Sequence, residues 1–346
     1  MRTIILAALL ALSGGLGAGV EGLAAGAPAP TQDQTVKLGT LAPEGSAWHN
    51  ILRDMAEDWK KATGGKVTFK IFPGGVAGDE PFMVKKMKIK QLQAAALTVV
   101  GLSEIAPEVM AVSMPRLIQT NEELDYVLEK MAPKLEAALE AKDYKVLNWG
   151  DAGWVTFFSN RPVVTLDDLR KVKMFVWASS TTELDVWKDA GVTPVPLEAT
   201  EIHPALKTGR IDAFSSTALA ALSFQWFGSA KNMTGMNWAP LIGATVIRKD
   251  AWEKIPADLK PALLKAAKET GERLRKETRK LGDEAIEIMK KNGLVVHPVP
   301  PEALAEWEKQ ARAAYPKIMG KTIPADWVAE VEKYRDEFRA SKKAGK

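Results

Sequence analysis

From Val36 onward, short runs of strand-forming residues alternate with amphipathic helical patterns, and this alternation confines the chain to layered α/β architectures. Residues 36–41 read as a first strand. Ser46 can cap a helix that puts Trp48, Ile51, Leu52, Met55 and Trp59 on one face and stops at Gly64 and Gly65. Residues 67–71 alternate with period two and close at Pro73-Gly74-Gly75. A helix follows Asp79 with Pro81 in its first turn. Residues 94–100 form a continuous apolar run of the kind buried in a parallel sheet.

A second set repeats the architecture without repeating the sequence. Strands are expected at 146–149, 154–158, 172–177, 193–196, 210–214 and 242–248, with helices at 181–190 and 200–208, the latter stopped by Gly209. Two such sets fit two domains of ordinary size with a cleft between them. The expected division is domain I over 36–153 plus 241–284 and domain II over 154–240 plus 285–340. Residues 256–292 are charged and helical throughout, with Ala267, Leu274, Leu281 and Ile288 spaced at sevens. Such a row could dimerise as a coiled coil, but only one apolar row is sustained. A long helix lying across both domains as a spine accounts for it better, and a monomer is expected over a dimer. Residues 302–338, with Trp307, Tyr315, Trp327 and Tyr334, read as C-terminal helices docking on the body.

The N-terminus supplies Arg2, an apolar stretch from Ile4 to Leu12, and small residues at Ala25 and Ala27 before Pro28. These are the three parts of a secretory signal, and the apolar stretch is short for a spanning anchor. Residues 1–27 are therefore expected to be a cleaved signal peptide and the protein to be periplasmic. Gly17, Gly19 and Gly22 match a dinucleotide-binding spacing but follow no strand, so the match carries no meaning. The formal net charge is only +4, with basic and acidic residues interspersed, which argues against nucleic acid as a partner. The chain has no cysteine, so disulfides, thiolate metal sites and cysteine nucleophiles are excluded.

Catalytic patterns are missing as well. His49, His203 and His297 stand in no metal-ligand spacing, and neither a Gly-x-Ser-x-Gly elbow nor a phosphate-binding loop occurs. Asp167-Asp168 and Glu122-Glu123 sit at expected helix starts, where the macrodipole favours negative charge. No catalytic residue, metal or cofactor is expected. An esterase would have to draw on Ser215 or Ser216 with His203, the nearest such set.

Several stretches, in order, resemble one family. Leu38-Gly-Thr-Leu-Ala-Pro-Glu-Gly-Ser-Ala-Trp48-His, Ala56-Glu-Asp-Trp-Lys-Lys-Ala-Thr-Gly-Gly65-Lys-Val, Phe72-Pro-Gly-Gly-Val-Ala-Gly-Asp79, Asp168-Leu-Arg-Lys-Val-Lys173 and Ala205-Leu-Lys-Thr-Gly209-Arg-Ile-Asp212 are similar to the DctP-type substrate-binding proteins of TRAP transporters. The resemblance implies a two-domain clamp with a long helix spanning both domains, closing on a small molecule and delivering it to membrane permease subunits. It also implies an organic-acid ligand held by arginine. Here Phe175 takes the place of the family's main arginine, Val155 that of a second after Trp154, and Ser215-Ser216 replace a Glu-Asn pair.

An ionic hydrogen bond is worth about 1.5 to 3 kcal/mol, and a carboxylate enclosed without a partner costs several kcal/mol. Covering about 150 to 250 Å² on an aromatic wall offers roughly 4 to 6 kcal/mol before ordering costs. The expected ligand is thus an uncharged or apolar solute, contacted by Trp48, Trp154, Val155, Phe175, Trp177, Phe214, Ser215 and Ser216. The alternative within the family is a carboxylate held by a relocated arginine, for which Arg116 is the candidate. A ligand carrier or sensor outside transport is a further alternative.

Overall fold

A computed structural model describes residues 33–344. The expected signal peptide and the Gly17 to Gly22 pattern lie outside them. In chain order the elements are β1 (Gln34–Thr40), α1 (Ala47–Ala62), β2 (Val67–Phe72), α2 (Glu80–Lys88), β3 (Ala94–Thr98), α3 (Val99–Ser103), α4 (Asn121–Glu140) and β4 (Tyr144–Ser159). There follow α5 (Leu166–Leu169), β5 (Lys173–Trp177), α6 (Thr181–Asp189), β6 (Thr193–Leu197), α7 (Ile202–Lys207), β7 (Ala213–Thr217), α8 (Ala218–Ser223) and β8 (Asn232–Gly235). The chain closes with β9 (Ala239–Arg248), α9 (Lys249–Glu253), α10 (Lys260–Lys291), β10 (Val295–Pro298), α11 (Pro301–Lys321) and α12 (Ala325–Ala344).

The strands form one mixed sheet in the order β2-β1-β3-β9-β4-β7-β5-β6, with β8 and β10 attached beside β4. Its first section, β2-β1-β3, is parallel, and so is the last, β7-β5-β6. The antiparallel pair β4 and β9 joins them. The two strands expected at 146–149 and 154–158 are in fact one long strand, interrupted by register shifts between Val146 and Asn148 and between Asp151 and Trp154. Gly153, at φ 101°, supplies the left-handed residue that the second irregularity needs. β4 stays beside β9 as far as Val155 and pairs with β7 from Val155 onward, so a single strand runs from one section into the other.

Two further boundaries differ from expectation. The run at 94–100 stops as a strand at Thr98, whose side chain caps α3 by accepting from Val100 N at 3.3 Å. The strand expected at 210–214 is shifted to Ala213–Thr217. Residues before it are held in a turn because Asp212 accepts from Lys173 N at 3.0 Å and from Asn160 Nδ2 at 3.0 Å.

The helix expected at 256–292 is α10, and it packs as a spine. Leu263 and Ala267 join the core beneath β1 and α1, while Ala285 and Met289 join the core built on Phe175 and Phe214. Leu281 also faces the body, whereas Ile288 is exposed. The row at sevens therefore serves intrachain packing. Trp307 of α11 is fully buried, stacked on Phe157 at 5.2 Å with its indole donating to Val164 O. Among the described residues no helix is long and apolar enough to cross a membrane.

Candidate functional site

The parallel sections point the carboxyl ends of β1, β3, β5 and β7 at a common space, where open α/β sheets bind ligands. A cavity of about 160 Å³ lies there. Thr40 and Leu41 at the end of β1, Thr98 at the end of β3, and Trp48 and Leu52 of α1 form one side. Trp177 at the end of β5, Ser216 of β7, and Ala220, Phe224 and Trp226 form the other. The floor is the irregular stretch of β4, with Asn148, Gly150, Asp151 and Ala152, together with Leu241 and Gly243 to Thr245 of β9 and Leu274 of α10.

The wall carries no arginine, lysine or histidine. Its ionisable groups are two carboxyls, Glu80 and Asp151. Asp151 Oδ2 accepts from Arg279 Nη2 at 2.8 Å and Nε at 3.1 Å, and Arg279 in turn clasps both oxygens of Asp125 at 2.8 Å. Among the described residues, Asp151 Oδ1 and Asn148 Oδ1 have no hydrogen-bond partner. Burial pushes the Asp151 carboxyl above its ordinary range, with Arg279 pulling the other way. Glu80 is fully enclosed and accepts from Thr98 N at 3.0 Å, Thr98 Oγ1 at 2.9 Å and Gly101 N at 2.8 Å. Burial still dominates and raises it to about 7. Beside it, Asp79 caps α2 through Glu80 N and uses its other oxygen to accept from Ala199 N at 3.1 Å, tying the first section to the second.

Glu183 is likewise raised to about 7 by burial, so two carboxyls titrate near neutrality in the folded chain and near 4.5 when unfolded. A raised carboxyl stabilises fully below its unfolded value and loses that contribution as pH rises through the folded one. Unfolding free energy should therefore fall between about pH 5 and pH 8, with each unit of pKa difference worth about 1.4 kcal/mol. Urea titrations across that range check it, and the slope should flatten in Glu183→Gln. A slope that rises or stays level would contradict the assignment.

Of the residues singled out from sequence, the structure puts Trp48, Trp177 and Ser216 on the cavity wall. Trp48 is fixed by its indole donating to Thr278 Oγ1 of α10 at 3.0 Å. Phe175 lies one layer behind, 1% exposed and edge-on to Trp177 at 5.4 Å. Phe214 is buried too, stacked on Phe158 at 5.1 Å and edge-on to Trp226 at 5.3 Å. Ser215, half-buried and paired in register with Phe157, is off the wall. Trp154 is turned to the other core, its indole donating to Asn121 Oδ1 at 2.9 Å, and Val155 packs on that same core.

Arg116 also stands away from the cavity. It is buried, donating from Nη1 to Asn237 O at 2.5 Å and pairing through Nη2 with Glu308 at 2.8 Å. His49 accepts from Gly45 N through Nδ1 at 3.0 Å, and among the described residues no hydrogen bond joins His203 to Ser215 or Ser216. Asp151, Asn148, Glu80, Phe224 and Trp226 were not singled out from sequence. A signal existed for Asp151, an acid within an apolar strand run and flanked by Gly150 and Gly153.

The placement separates two substitutions that look alike in sequence. Phe175→Ala should cost roughly 3 to 5 kcal/mol of stability, because it opens a hole in a closed core. Trp177→Ala should cost much less stability and weaken a bound solute at least tenfold. Denaturant unfolding and calorimetry on both variants test the contrast.

The family model described as bacterial extracellular solute-binding protein, family 7 (DctP) matches residues 38–322. The chain is 24% identical over 323 residues to the C4-dicarboxylate-binding periplasmic protein DctP of Rhodobacter capsulatus, covering 92% of this chain and 96% of that one. Its fold is similar to that of a TRAP periplasmic solute-binding protein from Sulfurospirillum deleyianum with bound succinate, at TM-score 0.80 and 24% identity, over 87% of this chain and 99% of that one. A TRAP periplasmic solute-binding protein from Roseobacter denitrificans with bound β-D-glucuronate is similar at TM-score 0.81 and 21% identity, over 86% and 99% of the two chains.

Proposed function

The chain belongs to the DctP family, family 7 of the bacterial extracellular solute-binding proteins, and on that premise we propose that it captures a small, uncharged or largely apolar solute in the cavity between its two parallel sections. As a TRAP solute-binding protein it is a binding protein and not an enzyme, and proteins of this kind deliver small molecules to membrane permease subunits. The ligand class is carried by one observation. Trp48, Trp177, Phe224 and Trp226 line the cavity while no basic side chain does.

An acid ligand is the second reading, favoured by the succinate and glucuronate held by the similar proteins. Here a carboxylate would meet neutral donors such as the Ser216 and Thr245 hydroxyls, together with the carboxyls of Asp151 and Glu80. Without a cationic partner its desolvation, worth several kcal/mol, is poorly offset. Residence in the periplasm after cleavage behind Ala27, action as a monomer, and a hinge between 36–153 plus 241–284 and 154–240 plus 285–340 complete the proposal. Native mass spectrometry of the protein purified from its periplasm, followed by calorimetry with whatever solute it carries, tests the ligand class. A co-purified solute without an acid group supports the first reading, and a tightly held succinate or sugar acid overturns it.

A further inference from the structure

We propose that the solute presents a primary ammonium group to Asp151 and Asn148 and an apolar or aromatic body to the indoles, making this a receptor for an organic amine. The proposal rests on the reading that the cavity is the ligand site, takes the largely apolar solute over the uncharged one, and names the single charged group that the site selects. Asp151 and Asn148 are 7% and 5% exposed, both form its floor, and each keeps an oxygen without a donor. Buried acceptors are rarely left in that state, because each carries the full loss of its hydration. Two orphaned acceptors on a single wall call for N–H donors from whatever enters.

Charge points the same way. Among the described residues, the wall has the Asp151 carboxyl and no basic side chain. Arg279, the nearest cation to Asp151, satisfies Oδ2 only and is shared with Asp125. Oδ1 is therefore left for a ligand. Trp48, Trp177 and Trp226 line the cavity, and indole is the aromatic group most favourable to an adjacent cation. A carboxylate in the same place would set its oxygens against Asp151 Oδ1, acceptors with no proton between them.

The substitution Asp151→Asn tests this with a change of sign. The amide must turn its oxygen to Arg279, which can only donate, so its NH2 takes the place of Oδ1 and an acceptor becomes a donor. Calorimetry on the full protein would use three probes of one shape, benzylamine, benzyl alcohol and benzoate. In the wild type benzylamine should bind at least tenfold tighter than benzyl alcohol, and benzoate weakest. In Asp151→Asn the preference for benzylamine over benzyl alcohol should vanish and benzoate should gain. Asn148→Leu, which leaves the Arg279 pair untouched, should weaken benzylamine about fivefold if the first variant misfolds. Ser216→Trp, which fills the cavity, should abolish all three.

A wild-type preference for benzoate that Ser216→Trp abolishes would keep the site and overturn the amine. Binding indifferent to Ser216→Trp would overturn the site and the amine together. Failure of benzylamine to bind, or an amine preference that survives both Asp151→Asn and Asn148→Leu, would overturn the amine class alone.

Discussion

Gly271→Val should leave the chain unfolded, or at best more than about 3 kcal/mol less stable, although the substitution lies in the middle of a solvent-rich charged helix. A Cβ at Gly271 would stand 2.5 Å from Trp149 O and 2.9 Å from Asn148 Cβ. The first of these is backbone of β4, the strand that runs from one section of the sheet to the other, and it cannot step aside without moving the cavity floor. The internal control lies eleven residues on in α10. Nothing stands within 4 Å of a Cβ at Gly282, so Gly282→Ala should raise stability by about 0.5 to 1 kcal/mol through helix propensity alone. Circular dichroism melts of the two variants decide the matter, and a well-folded Gly271→Val would mean that α10 does not press on β4 as closely as described.

The same helix marks how far sequence reading reaches. Its existence, length and role as a spine were legible, because periodicity and caps are local and survive in a single chain. The meaning of Gly271 was not, because a glycine in a helix shows its purpose only when the element pressed against it is known. Strand β4 makes the parallel case. Gly150 and Gly153 look like a break between two strands, and in space they make an irregularity within one. Asn148 lies beside the earlier register shift and Asp151 at the start of the later one, and both line the cavity.

The ligand wall was half legible for a related reason. Trp177 and Phe175 are two positions apart in β5 and so share a face, which sequence spacing does give. Which of them ends at the surface of the cavity and which is sealed behind it depends on how Phe214, Trp226 and Leu197 close over the inner one. Arg116 was plausible as a relocated anchor on charge alone. Its partner Glu308 lies far along the chain in α11, and no local pattern links the two.

Arg279→Ala carries the other large effect, about 3 to 5 kcal/mol at neutral pH, because it strands a buried carboxylate. Asp151, 3% exposed at its side chain, would lose the cation that contacts it, while Asp125, far more open to solvent, would lose little. The loss should depend on pH with a definite sign. Burial already raises the Asp151 carboxyl above its ordinary value, and removing Arg279 takes away the influence that lowers it. A carboxyl raised in the folded state binds its proton there first, so stability returns as pH falls through that raised value. The gap between variant and wild type should be wider at pH 8 than at pH 5. Neutralising the stranded group should rescue the fold, so Arg279→Ala with Asp151→Asn should be more stable than Arg279→Ala alone at pH 8. Urea unfolding of the four proteins at both pH values completes the cycle. A gap that does not change with pH, together with no rescue, would mean that Arg279 acts through its packing in α10 and that Asp151 keeps its charge without it.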